Sequence, residues 1–488
     1  MANVPLQLGI ITAYLLIALV VGLLAYRVTD RTAEDYYLAS RTFGTVVLLF
    51  TTFATLLSAF TFFGGPNISA GSGPEWILVM GLMDGVLFAV LWYVIGYKQW
   101  LLGQREGYLT LGQMLGDRFG STALRVLVAA VSIFWLFPYV MLQQQGAGTA
   151  LVALTEGAVP YWVGAGGITL FMIVYVTLAG MRGVAWTDTL QGLFMLVMVW
   201  GAFVWVLAAV GGPTAATSKL ASTDPEFLAL GGGLYSPQYV ISTAVSIAFG
   251  VSMFPQVNQR FFVAESKTVL KRTFALWPVL VILLFVPAFM LGAWAAGYGI
   301  SPADGNVLPL LLNEFTPGWF AALVVAGAMA AMMSSSDSML LSGSSYLTRD
   351  IYRQVVSTAT QRREDLLARV GVALFAALTF VASLFQPGTL VEIGDTAFGG
   401  FAQLALPVIV ALYWTGTTRK GMLSGVLGSQ TFYLASVFVP VVPSSYLGGW
   451  SASIVGMVLG LILTVSVSLA TVAAPEENAS RFSNLQAE

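Results

Sequence analysis

The chain has no cysteine and no histidine among its 488 residues, and only 9% of them are charged. Without cysteine there is no disulfide and no thiol nucleophile; without histidine there is no imidazole proton relay, no haem–histidine ligation and no Cys/His zinc site. Soluble domains carry about 25% charged residues, so the shortage of charge excludes a soluble protein and leaves an integral membrane protein. What takes its place is 57% hydrophobic residues, 13% aromatics and 51 glycines, which suits helices packed closely in lipid. A net charge of -2 gives no basis for nucleic-acid binding. No nucleophile–base pair or metal cluster is visible, so an enzyme is not expected.

Apolar windows of about 20 residues fall at 5–26, 45–66, 76–97, 122–152, 160–179, 187–210, 238–256, 274–298, 316–346, 369–386, 396–414, 420–441 and 449–472. These thirteen predict an all-α polytopic protein with its termini on opposite sides of the membrane. Basic residues test the count: along alternate connections twenty of the twenty-one fall on one side, leaving only Lys219 on the other. The positive-inside rule then puts the N-terminus outside and the C-terminus in the cytoplasm. Met1–Pro5 lacks a basic n-region, so the first apolar run reads as a retained span. The longest outside connection, 211–237, reads as a Gly/Pro/Ala/Ser-rich loop, and residues 473–488 as a polar, disordered tail too short for a signalling domain.

Two spans carry breaks. The second contains Thr51-Thr-Phe-Ala-Thr-Leu-Leu-Ser-Ala-Phe-Thr-Phe-Phe-Gly-Gly-Pro66, and the seventh Ser246-Ile-Ala-Phe-Gly-Val-Ser-Met-Phe-Pro-Gln-Val-Asn-Gln-Arg260. Proline removes a ladder hydrogen bond and glycine tolerates unwound backbone. Such backbone is stable inside a membrane only where it is buried in protein or lines a cavity. Five spans apart, the two segments enter from opposite sides, as in an inverted five-helix repeat with a midplane site.

The ninth span holds Met333-Ser-Ser-Ser-Asp-Ser-Met-Leu-Leu-Ser342. At about 100° per residue, Ala331, Ser334, Ser335, Ser338, Ser342 and Ser345 share one stripe. A helix facing only lipid has no use for such a stripe, whereas one lining an ion or solute path does. Sodium takes hard oxygen ligands, by analogy with the harder divalent ions. Ser334 and Ser335, with carbonyls freed near Ala54 and Leu57, fit that requirement. The competing reading is that the serines bond back to their own helix and allow close packing.

Three acids stand inside spans. Asp337 lies just off the serine stripe, and an aspartate at a helix centre costs on the order of 2.5–3.5 kcal/mol, so it needs a partner or a task. Asp188 reads either as a helix N-cap or as a site residue. Asp84 reads as a solute contact, a proton site or a buried acid bonded to a neighbouring span.

At these residues the chain resembles the sodium:solute symporter family. The matching segments are Asp35-Tyr-Tyr-Leu-Ala-Ser-Arg41, Tyr175–Gln191, Phe254-Pro-Gln-Val-Asn-Gln-Arg260, and Met333–Ser342 running on to Asp350-Ile-Tyr352. The resemblance implies a LeuT-type core of two inverted five-helix repeats. The domain boundaries that follow are a first helix and inner loop at 1–44, a core at 45–415 (repeats 45–210 and 238–415), two C-terminal helices at 416–472, and the tail. It also implies a sodium site formed by the carbonyls of Ala54, Leu57 and Ala331 with Ser334 and Ser335, and a second cation near Asp188, Asp337 and Ser338.

Leu56 stands where proline-transporting members carry aspartate, Gln256 where several members carry histidine, and no glutamine lies near Thr61 as in sugar carriers. Solute-facing candidates are Ser58, Phe60, Thr61, Asp84, Gln143, Gln144, Met253, Phe254 and Gln256. Half-helix N-termini favour anionic groups. The expected function is therefore sodium-coupled import of a small carboxylate or amino acid by alternating access, as a monomer in the plasma membrane. A proton-coupled permease of the same fold, or a sugar substrate, is the alternative.

Overall fold

A computed structural model describes residues 3–26, 39–223, 225–356, 360–472 and 481–482. The motif residues 35–38 and most of the tail therefore lie outside the described residues.

Among the described residues, nine helices are long and apolar enough to cross a membrane. They include Leu78–Glu106, Thr122–Leu154, Lys267–Gly297, Gly318–Val355 (the serine helix) and Leu390–Tyr413. Two bent pairs bring the number to eleven: Thr45–Leu56 with Phe60–Ser72, bent by 61°, and Pro237–Ser252 with Pro255–Val263, bent by 56°. Both bends fall in the segments where glycine, proline and hydroxyl residues interrupt the apolar pattern. The two remaining windows, 160–179 and 420–441, coincide with a shorter apolar helix, Tyr161–Thr177, and with Arg419–Phe438. The latter carries Ser424, Ser429, Gln430, Thr431 and Ser436, which lower its hydropathy. It packs through glycines instead: a Cβ on Gly421 or Gly425 would strike Ser468 or Thr464 of Ala452–Leu469, the small-residue contact that lets membrane helices approach closely.

The structure departs from the expected connections in three places. Helical residues run from Tyr161 to Val210, joining two expected spans. Twelve residues of straight helix would separate Tyr175 from Thr187 by about 18 Å, yet their hydroxyls lie 2.6 Å apart, so Tyr161–Thr177 and Val184–Val210 do not form one straight helix. The expected loop 211–237 contains a helix, Pro213–Thr223, that buries Ala216 and Leu220; its amphipathic side packs against Ala293 and Trp294. Finally, among the described residues one two-stranded antiparallel ribbon forms, Ser445–Tyr446 with Trp450–Ser451, too short for composition to reveal.

The serine helix lies at the centre of the molecule: its apolar window is 83% buried, against 17% for Val4–Gly22. A helix that carries hydroxyls is thus kept from lipid by its neighbours.

Candidate functional site

The first broken span supplies free backbone. Thr45–Leu56 ends at Leu57, whose extended φ/ψ of -78°/129° stops the helix, and helical bonding resumes at Phe60. The carbonyls stranded there are taken by the serine helix. Ser334 Oγ donates to Ala54 O at 2.6 Å and to Ala331 O at 3.0 Å. Ser335 Oγ donates to Leu57 O at 2.5 Å and Thr55 O at 2.9 Å. All five expected sodium residues thus meet at one buried point, with Thr55 joining them. The oxygens are neutral and hard, and they come from two helices, a set that can hold a small monovalent cation reversibly.

One turn along, a charged cluster ties four elements together. Asp188 Oδ2 accepts from Thr51 Oγ1 at 2.6 Å, Thr55 Oγ1 at 3.4 Å and Arg260 Nη2 at 3.2 Å. Arg260 Nη2 also reaches Ser338 Oγ at 2.5 Å, and Ser338 and Thr55 hydroxyls lie 3.0 Å apart. Asp188 and Arg260 are both fully buried. Asp188 sits inside continuous helix, so the N-cap reading is wrong. Arg260, counted among the charges flanking a span, is instead an internal partner. Two of the three residues expected at a second cation, Asp188 and Ser338, are engaged by its guanidinium. Asp337 Oδ1 has no hydrogen-bond partner, nor has Asp188 Oδ1.

The solute candidates separate into groups. Ser58 Oγ and Tyr139 OH lie 3.1 Å apart, and Gln143 Oε1 accepts from Ala59 N at 2.9 Å. Phe60, Tyr139, Phe254 and Phe398 form an aromatic cluster: Phe398 is edge-on to Phe60 at 5.2 Å and stacked on Phe254 at 5.7 Å, and Tyr139 meets both Phe254 and Phe398. This brings the two breaks together at one place. A Cβ at Gly250 would lie 2.2 Å from Phe398 O, so glycine here allows the second break to approach that helix. Gln256 is fully buried with neither amide atom hydrogen-bonded, and Met253 and Thr61 are buried beside the breaks.

Two candidates bond to none of these groups. Gln144 Nε2 donates to Thr169 Oγ1 at 3.0 Å and Ala376 O at 2.9 Å; one residue on from Gln143 it points to a different packing face and joins helices. Asp84 lies on a stretch packed against Pro237–Ser252 and Lys267–Gly297, and neither of its oxygens has a hydrogen-bond partner.

Sequence reasoning missed Thr51, Thr55, Arg260, Tyr139 and Phe398. For the threonines a signal existed: they stand four apart on the helix face that ends at Leu57. Phe398 belongs to an unbroken apolar run and had none.

The sequence profile of the sodium:solute symporter family matches residues 36–428. A sodium/pantothenate symporter of Escherichia coli (strain K12) is 28% identical over 95% of this chain and 97% of its own length. The high-affinity proline transporter PutP of Bacillus subtilis (strain 168) is 25% identical over 93% and 97%. Among solved structures, a Na+-coupled sialic acid symporter aligns with a TM-score of 0.80 at 20% identity, covering 96% of this chain and 99% of that one. MhsT, in complex with L-phenylalanine, aligns with a TM-score of 0.55 at 13% identity, covering 86% of this chain and 98% of that one. The fold is of the LeuT type.

Proposed function

Because this chain belongs to the sodium:solute symporter family, as a multi-pass membrane transporter and not an enzyme, we propose that it imports a small organic acid or amino acid with sodium bound at Ala54, Leu57, Ala331, Ser334 and Ser335. The observation that carries the reading is the pair of serine hydroxyls bonded to the carbonyls of the first break. Sodium replaces the hydroxyl protons as the partner of those carbonyls. The hydroxyl oxygens then join the carbonyls as ligands, and the broken span is fixed against the serine helix. Fixing Ala54–Leu57 also fixes Ser58 and Phe60 at the solute cluster. Each ligand therefore strengthens the other by the same factor.

The solute meets an apolar box, with Phe60, Phe254 and Phe398 as walls, and Gln256 as an unengaged amide. The N-terminus of Pro255–Val263 opens at the second break, and free N–H groups at a helix start favour a carboxylate. Pantothenate, proline and sialic acid, named for the relatives, each carry one. The thirteen-span order, the repeats at 45–210 and 238–415, and a cytoplasmic C-terminus follow from the charge asymmetry and the matched bends. The protein works as a monomer in the plasma membrane.

The test is tracer uptake in proteoliposomes, screening carboxylates and amino acids with sodium or choline outside. Uptake that persists unchanged in choline overturns the reading. A second reading, proton coupling, is favoured by Asp84, buried with both oxygens unpartnered. Accumulation driven by a pH gradient without sodium would select it.

A further inference from the structure

Composition marks the tail as polar and unstructured, yet one of its side chains is as buried as the core. Phe482 is 3% exposed, with the guanidinium of Arg118 5.2 Å from its ring centroid. The backbone oxygen of the preceding residue, Arg481, accepts a hydrogen bond from Arg105 Nη2. Arg105 stands in the last turn of Leu78–Glu106, and Arg118 in the last turn of Leu111–Phe119. Arg118 in turn donates to Trp414 O at 3.0 Å, just past Leu390–Tyr413. Two tail residues therefore bridge two separate elements, and Arg118 links them to a third.

Beside them lies a cavity of about 350 Å3, with Phe482 and Arg481 in its lining together with Arg125 and Gln354. Arg125 Nε binds Asp350 Oδ1 at 2.8 Å, joining the first turn of Thr122–Leu154 to the end of the serine helix. Close by, Leu111 N donates to Tyr346 OH at 3.3 Å. The tail residues thus sit over a seam where the serine helix meets the 111–125 segment. Alternating access requires this face to separate in one half of the cycle.

We propose that the surface formed by Arg105 and Arg118 is a docking site for this chain's own Arg481–Phe482 segment, which latches the seam shut until it undocks. The proposal rests on the orientation given above, which makes this face cytoplasmic. The latch includes a buried ring, a cation–π contact and a backbone hydrogen bond, together enough to bias opening.

The cysteine-free sequence makes the test direct. In the full-length protein, Gln354→Cys places one thiol on the cavity wall, away from the sodium and solute residues. Labelling by a membrane-impermeant maleimide is timed in inside-out vesicles. Phe482→Ala is expected to speed labelling by about threefold or more by raising the open fraction. Arg105→Gln should act in the same direction, while Phe482→Tyr, which keeps the ring, should label at the parent rate. Equal rates for parent, Phe482→Ala and Arg105→Gln overturn the latch. Labelling confined to right-side-out vesicles overturns the orientation and the latch together. The readout needs neither sodium nor solute, so its failure is distinguishable from failure of the transport reading.

Discussion

The two broken spans bend by nearly the same angle, but they satisfy their freed backbone in opposite ways. At the first break the stranded carbonyls are held by another helix, through Ser334 and Ser335, and Ala59 N is held by Gln143. At the second break the segment caps itself. Gly250 O and Val251 O accept from Met253 N and Phe254 N, and Asn258 Nδ2 donates to Ser252 O at 3.3 Å and Phe254 O at 2.7 Å. A break whose carbonyls are closed by its own side chain needs no second helix to hold them. A break closed by hydroxyls of a second helix can trade those hydrogen bonds for a cation. Similar bends therefore suit different tasks: in the proposed mechanism the first couples to sodium and the second is a fixed hinge beside the solute cluster.

The largest disturbance should come from the pair that connects the two spans. Asp188 holds Thr51 and Thr55 of the first and Arg260 at the end of the second. Asp188→Asn leaves the Arg260 guanidinium buried without its counter-charge, a loss of about 3–5 kcal/mol by comparison with other broken buried pairs. Thermal unfolding in detergent should show a large drop in Tm, with Asp188→Asn/Arg260→Gln recovering part of it. No recovery in the double variant would mean that the carboxylate's role is not to balance Arg260.

Ser335→Ala comes next and separates the two breaks by function. It removes one hydroxyl ligand while leaving its carbonyl partners in place. The apparent sodium affinity in uptake assays should fall by about tenfold, worth ~1.4 kcal/mol. Asn258→Ala is the matching change at the second break. Losing hydrogen bonds to two buried carbonyls should lower stability by about 1–3 kcal/mol and leave the sodium affinity unchanged. If Asn258→Ala altered sodium affinity as much as Ser335→Ala, the assignment of different tasks to the breaks would be wrong.

The first break's contacts were legible because they rest on type and spacing: hydroxyls on one stripe, and glycine, proline and hydroxyls at the interruptions. Among the described residues, eleven of the thirteen apolar windows fall on helices or bent pairs long and apolar enough to cross a membrane, while 160–179 and 420–441 fall on the shorter Tyr161–Thr177 and the less apolar Arg419–Phe438. What stayed hidden depends on which way a side chain turns. Gln143 and Gln144 are adjacent and chemically identical, yet one closes the break and the other joins Thr169 and Ala376. Arg260 is read from sequence as a charge at a span's end, because burial of a cation becomes visible only with its partner, 72 residues away.

The smallest expected effect tests how far the serine stripe itself was correctly read. Ser334, Ser335 and Ser338 bond across to the first broken span or to Arg260. Ser342, on the same stripe, donates back to Met339 O of its own helix, while Ser345 donates back to Ser342 O and accepts from Gln259 Nε2 at 3.2 Å. The alternative of back-bonding serines thus holds for Ser342, holds alongside cross-helix bonds for Ser334 and Ser345, and fails for Ser335 and Ser338. Ser342→Ala removes a hydroxyl whose acceptor carbonyl already belongs to a helical ladder, so no buried group loses its only partner. Stability should stay within about 0.5 kcal/mol of the parent, and half-maximal sodium for uptake should not move. A loss of sodium affinity in Ser342→Ala comparable to that of Ser335→Ala would extend the cation path along the whole stripe and end the distinction drawn between these two serines.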